Sequence, residues 1–167
     1  DNLIQGYAGA MSITGTDKEN PVKSGIPIAD LGAGLYAVIG ILSAIQSREK
    51  NDSGEHVDIS MLDTQVSLLT YMATMHFLSG ENPEPIGNQH MNHVPFNSYR
   101  TSDGFIQIGV VAEDFWPSLI EALDLRQLDT EENKLRIGRL KNRENIDKAL
   151  QEVFITNSTE HWLKILQ

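Results

Sequence analysis

The stretch PIADLGAGLYAVIGILSAIQSREK, residues 27–50, constrains this chain more than any other. Leu31, Leu35, Val38, Ile39, Leu42 and Ile45 recur there at the three-and-four spacing of one helix face. The spacing predicts a helix of about 17 residues. Asp30 is placed to cap its start, and Arg48 and Lys50 lie where the macrodipole favours cations. Gly32, Gly34, Gly40 and Ser43 interrupt the apolar run, which therefore falls short of the roughly 18 residues of a membrane span, and no membrane partner is expected.

The flanking segments set an α/β expectation. Residues 2–15, with Gly6, Gly9 and Gly15, suggest a short helix or a buried turn, and a polar loop with Pro21 and Gly25 follows. After the turn NDSG, the alternation of His56, Asp58 and Ser60 with Val57 and Ile59 predicts a short strand. MLDTQVSLLTYMATMHFL, residues 61–78, predicts a second apolar helix stopped at Ser79-Gly80. Residues 81–95 carry Pro83 and Pro85 with almost no periodicity, so they read as a linker or ordered loop and the best boundary in the chain. Asp103-Gly104 between apolar or alternating runs predicts a β-hairpin. Helices are expected near 113–123 and 144–154, and a last one, containing Trp162, is expected behind a Thr156 or Ser158 cap.

Composition narrows the function classes. A formal net charge of −10 argues against a phosphate-backbone surface, so no nucleic-acid partner is expected. A polyanionic ligand would need a local basic patch or backbone N–H groups. The absence of cysteine excludes a disulfide framework, a thiolate zinc site and a Cys nucleophile. No signal-peptide pattern is visible. The chain opens on Asp1 rather than Met, and Gln167 falls inside a helical pattern, so it reads as an internal piece of a longer chain.

Asp30 is the first candidate for chemistry. A carboxylate at a helix start meets free N–H groups and a macrodipole that stabilise negative charge, and Gly32 and Gly34 strip bulk from the first turn. An ordinary N-cap explains the same residue. Gly32, Gly34 and Gly40 superficially mimic a dinucleotide loop, but the preceding IPIA is too short for the required strand, and close helix packing is the better reading. His90 and His93 have poor spacing for a metal pair, and no metal is expected. Gly87-Asn88 either turns N–H groups toward a ligand or makes a plain turn. Trp116, Trp162 and Tyr71 read as core, and the charges between Asp129 and Glu144 as a solvated face. Asn51 and Asn157 sit in glycosylation sequons, but nothing else points to secretion.

Taken in order, PIADLGAGLYAVIGILSAIQSREK and GEHVDISMLD resemble the core signature of the class III CoA-transferases, the CaiB/BaiF family. DNLIQGYAGAMSITG resembles the segment before the family's Asp. IGNQHMNHVPFNSYRTSDGFIQIGV resembles the Gly-Asn-x-His stretch and hairpin of its smaller domain, and NRENIDKALQEVF with TEHWLKIL looks like the closing helices. The resemblance covers essentially the whole chain. It implies the middle of a two-domain fold: residues 1–80 from a Rossmann-like large CoA-binding domain and its exit helix, 81–95 as linker, and 96–167 as a truncated α+β small domain. It also implies an interlocked homodimer, a cytoplasmic enzyme (mitochondrial or peroxisomal if eukaryotic), and a fragment inactive on its own.

The resemblance makes Asp30 the nucleophile that attacks an acyl-CoA, first as an acyl-aspartyl anhydride and then as an aspartyl-CoA thioester. N–H groups at the helix start are the expected oxyanion donors. Gly87, Asn88, Gln89 and His90 become a substrate loop, closer in pattern to transferases of succinyl or related groups than to formyl-CoA transferases. Asp1 falls in the CoA-contacting stretch. CoA esters and carboxylates are substrates, and no permanently bound cofactor is implied. An α-methylacyl-CoA racemase, using the equivalent Asp as acid/base partner to an upstream His, and an inactive CoA-ester-binding protein are the alternatives within the same resemblance.

Overall fold

A computed structural model describes residues 1–166, and the chain divides into two compact units, Asp1–Gly87 and Asn88–Gln167. The division falls inside the stretch 81–95.

The first unit is all-helical: α1 (Asn2–Tyr7), a 3-10 turn (Ala10–Ser12), α2 (Ile28–Asn51), α3 (Met61–Leu68) and α4 (Tyr71–Ser79). Helix α2 runs for 24 residues, longer than the periodicity predicts. It begins just after Pro27, whose ring presets a helical φ, and ends where Asp52 turns left-handed at φ 49° and returns its N–H to Arg48 O. Asp30 therefore lies inside the first turn rather than at the cap.

The face of α2 that packs within this unit differs from the Leu/Ile face marked by the spacing. Ala29 and Gly32 are buried and Ala33, Ala37, Gly40, Ala44 and Ser47 half-buried, a stripe of small residues at the same helical period. A Cβ on Gly32 would lie 3.0 Å from both Leu68 and Thr64 of α3, so this glycine serves close helix contact. A Cβ on Gly40 would meet Val57 Cγ1 at 2.7 Å. Leu31, Leu35, Val38, Ile39, Leu42 and Ile45 all remain exposed. The glycines and Ser43 dilute this apolarity without abolishing it: an 18-residue window has mean hydropathy 1.9, and α2 is long and apolar enough to cross a membrane. The core helix of a soluble protein meets the same criterion.

Three local expectations fail here. Residues 54–60 form neither strand nor helix, so their alternation only brings Val57 and Ile59 up to Gly40. The second apolar helix is two helices, broken at Thr70, a β-branched residue at φ 52°, ψ −122°. Ser60 caps α3 by accepting the Asp63 N–H at 3.1 Å. Tyr71, expected in the core, is exposed.

The second unit packs an antiparallel hairpin against helices. β1 (Phe96–Arg100) and β2 (Phe105–Gly109) register Tyr99 opposite Ile106, and the Asp103-Gly104 turn joins them. α5 (Phe115–Ala122), α6 (Arg136–Lys141), α7 (Arg143–Phe154) and α8 (Thr159–Leu166) follow. The core gathers Tyr99, Ile106, Trp116, Ile120, Ile146, Leu150, Phe154 and Trp162. Ser158 caps α8 through the His161 N–H, and Trp162 Nε1 donates to Phe154 O at 2.8 Å.

The solvated-face reading of the charges between Asp129 and Glu144 holds for Glu131, Glu132, Lys134, Arg136 and Lys141, which are exposed, and is corrected at Arg139 on α6. Arg139 is 1% exposed. It donates to Val94 O, Asn133 O and Lys134 O, pairs with Glu113 at 2.7 Å, and stacks over Trp116. Charge counting along the sequence could not separate this arginine from its exposed neighbours, because only its hydrogen-bond partners make burial tolerable.

Candidate functional site

Asp30 is the third residue of α2, and its side chain is 56% exposed. Gly34, one turn along the same face, leaves open space where a Cβ would stand. The carboxylate is thus reachable from the side Gly34 clears, whereas Gly32 contributes packing instead.

The cap of α2 comes from Asp1. Its Oδ1 accepts the Ala29 N–H at 3.0 Å, and its main-chain nitrogen lies 3.4 Å from Asp30 Oδ1. Its Oδ2 accepts from Gln5 Nε2 at 2.7 Å, and Gln5 Oε1 accepts the Ser24 N–H at 2.8 Å. The structure thus brings Asp1 beside Asp30. It also refines the expected oxyanion donors. The Ile28 N–H is taken by Ile26 O and the Ala29 N–H by Asp1, leaving the Asp30 N–H as the first-turn donor without a partner among the described residues. Gln5 is a residue that sequence reasoning misses. The signal that could find it is the four-residue interval from Asp1, which sets a Gln and an Asp on one helix face.

The loop Gly87–His90 straddles the division between units. Gly87, at φ 62°, donates its N–H to Gly15 O at 2.7 Å within the first unit. Asn88, Gln89 and His90 belong to the second, where Asn88 is exposed. Gln89 Nε2 reaches Asp147 Oδ2 at 3.3 Å, and Arg143 donates to His90 O at 2.7 Å, so α7 holds the loop from below. His90 Nδ1 accepts the Asn92 N–H at 3.0 Å, which places the proton of the neutral ring on Nε2. The ring packs tilted against Phe96 and His93.

Asp147 also accepts from Tyr99 at 2.5 Å and from Asn97 at 3.5 Å. Burial, and then this hydrogen bond, push the Tyr99 phenol well above its ordinary range, which makes it a structural donor. Burial, reinforced by His90, Arg136 and Arg139, lowers the His93 pKa against a small opposing pull from Glu113, and His93 Nδ1 is buried without a partner. Among the described residues no three His, Asp or Glu side chains gather as a metal site requires. An apolar groove of about 570 Å³ in the second unit, lined by Ile106, Val110, Phe115, Leu119 and Leu163, contains none of the candidate residues.

Known proteins share both this sequence and this fold. The model of CoA-transferase family III matches residues 1–167. The human succinyl-CoA:glutarate CoA-transferase is 29% identical over 100% of this chain and 38% of its own length. The succinyl-CoA:mesaconate CoA-transferase of Haloarcula hispanica is 30% identical over 100% of this chain and 42% of its own. A crystal structure of a CaiB/BaiF family protein from Brucella suis superposes with a TM-score of 0.86 at 30% identity, covering 99% of this chain and 44% of that one. The chain therefore spans well under half the length of these relatives.

Proposed function

The chain belongs to CoA-transferase family III, and from that premise we propose that it carries the nucleophilic aspartate of an enzyme that moves CoA from an acyl-CoA to a free carboxylate. The observation that carries the reading is Asp30 itself, an exposed carboxylate in the first turn of α2 beside open space at Gly34.

In this reading Asp30 attacks the donor thioester carbonyl, the C–S bond breaks, and an acyl-aspartyl anhydride forms with release of CoA thiolate. The thiolate attacks the Asp30 carbonyl, expels the donor acid as its carboxylate, and leaves an aspartyl-CoA thioester. An acceptor carboxylate then attacks that thioester, breaking its C–S bond to give a second anhydride and free CoA thiolate, and the thiolate attacks the acceptor's carbonyl, forming the new acyl-CoA and regenerating the Asp30 carboxylate. No net oxidation or proton transfer is required. The free Asp30 N–H and the local positive end of α2 stabilise negative charge developing at these carbonyls.

Succinyl-CoA is the proposed donor and a dicarboxylate the proposed acceptor. Support comes from the Gly-Asn-x-His loop and from the activities for which the relatives above are named. The loop Gly87–His90 would contact substrate, with His90 Nε2–H and the Asn88 amide as donors suited to a carboxylate. Asp1 lies in the proposed CoA-contacting stretch. A homodimer in the cytoplasm, with α2 as a core helix of the Rossmann-like large domain, completes the proposal.

The test is to give the intact protein succinyl-CoA and quench with hydroxylamine. A hydroxamate mapped to Asp30 by mass spectrometry, and lost in Asp30→Asn, is the expected result. An active protein with no adduct at Asp30 overturns the reading.

A further inference from the structure

Resting on the reading of Asp30 as nucleophile, we propose that Gln5 is a positioning residue which fixes the reactive turn of α2 by orienting Asp1.

Gln5 is 1% exposed, and a buried amide is tolerated only when its polar atoms are satisfied. Both ends of this one are, and by partners that cannot exchange. The Ser24 N–H can only donate, so it requires Oε1, and the Asp1 carboxylate accepts, so it requires Nε2–H. Flipping the amide loses both bonds at once. With Asp1 Oδ2 held, Oδ1 stays on the Ala29 N–H, one residue before Asp30. Beside the Ile26 carbonyl on the Ile28 N–H and the α3 packing at Gly32, the side-chain contact that fixes the Asp30 turn from outside α2 thus passes through Asp1, and Asp1 is aimed by Gln5. The six-residue α1 is too short to hold that aim through its own backbone bonds. Gln5 itself makes no contact with Asp30, so it acts through another residue.

The amide is also distinguishable from its acid. In a Gln5→Glu variant, the ionised carboxylate would face the Asp1 carboxylate with a like charge and no proton to offer. The protonated form of the same variant would restore one O–H donor toward Asp1 while its carbonyl still accepts from Ser24. The other charged groups near this path are Asp30 on α2 and Lys23, whose Nζ donates to Ser24 O. Asp30 adds to the repulsion, and the Lys23 ammonium, held on the Ser24 carbonyl, offsets part of it.

The experiment follows the rate of Asp30 adduct formation from succinyl-CoA, with KM and thermal stability, in the intact protein and in its Gln5→Ala and Gln5→Glu variants. Gln5→Ala is expected to slow adduct formation about 100-fold, with a much smaller change in KM, because the loss lies in geometry rather than in binding. Gln5→Glu is expected to be slow at neutral pH and to regain rate relative to wild type as pH falls and its carboxyl protonates. Wild-type rates in Gln5→Ala, a loss matched by its unfolded fraction, or a Gln5→Glu pH profile parallel to wild type would overturn the inference. Should Gln5→Ala not fold, the Gln5→Glu profile decides. No Asp30 adduct in the wild type overturns the functional reading, whereas a wild-type adduct with indifferent Gln5 variants overturns only the role of Gln5.

Discussion

The two units solve the problem of burial in opposite ways. Asn88–Gln167 buries large side chains: Trp116, Phe154, Ile146 and Leu150 are all fully enclosed, and Tyr99 and Trp162 close over them. Asp1–Gly87 buries small or polar ones, Ala8, Ala10, Ala29, Gly32, Gln5, Thr64 and Gln65, while the large apolar face of its longest helix stays open. One unit is held by hydrophobic burial. The other is held by close approach and hydrogen bonds around the residue that carries the proposed chemistry. Within this chain, the large apolar core and the proposed chemistry therefore fall in different stretches of the sequence.

Separating the units should expose this contrast most strongly. Residues 88–167 alone are expected to melt cooperatively, whereas 1–87 alone should bind a hydrophobic dye and associate, because its exposed leucines and isoleucines lack cover. Calorimetry and dye binding on the two segments decide it, and a cooperative, dye-silent first segment would break the comparison. Next in size, in a chain of residues 1–167 alone, Trp116→Ala should cost about 3–5 kcal/mol in denaturant unfolding of the second unit, but Leu42→Ala, exposed in this stretch, under about 0.5 kcal/mol.

Arg139→Ala leaves the Val94 and Asn133 carbonyls without their donor, and a loss of about 2–3 kcal/mol is expected in the same titration. Tyr99→Phe, which takes only a hydroxyl from Asp147, should cost about 1–2 kcal/mol.

The smallest expected effect is a pH dependence at Glu113. Hydrogen bonding from Arg139 holds its carboxyl below the ordinary glutamate range. A depressed folded-state pKa stabilises the fold above the unfolded value and loses that contribution as pH falls through the folded one. Glu113→Gln should therefore flatten the acid limb of a stability profile below about pH 4.3. The carboxyl is 55% exposed, so solvent screening limits the effect to a few tenths of a kcal/mol.

The sequence makes α2, the hairpin and the last two helices legible because each repeats a local period or carries its own turn chemistry. Asp103-Gly104 is enough for the hairpin, and Ser158 for the final cap. Where the reading fails, the deciding contact is distant in sequence. The true cap of α2 lies 28 residues upstream of Ala29, so Asp30 stands in for it when only neighbours are compared. Arg139 looks solvated because its partner Val94 is 45 residues away. Apolar spacing marks the Leu/Ile face of α2, yet packing within the unit uses the small stripe, since residue size rather than hydropathy governs how closely two backbones approach. Asp30 itself is found by family resemblance; its exposure and its link to Asp1 and Gln5 require coordinates.

Gly40 has a consequence for how the chain is measured out. Val57 occupies the space a side chain there would fill, with Ile59 in ordinary contact beside it, so this segment notches the helix at that point along its length. A helix notched in this way cannot slide by a turn. Asp30 stands ten residues nearer the start, about 15 Å along the axis. Its position is thereby gauged from a landmark remote from it, and a bulkier residue at 40 would shift the Asp30 carboxylate without touching it.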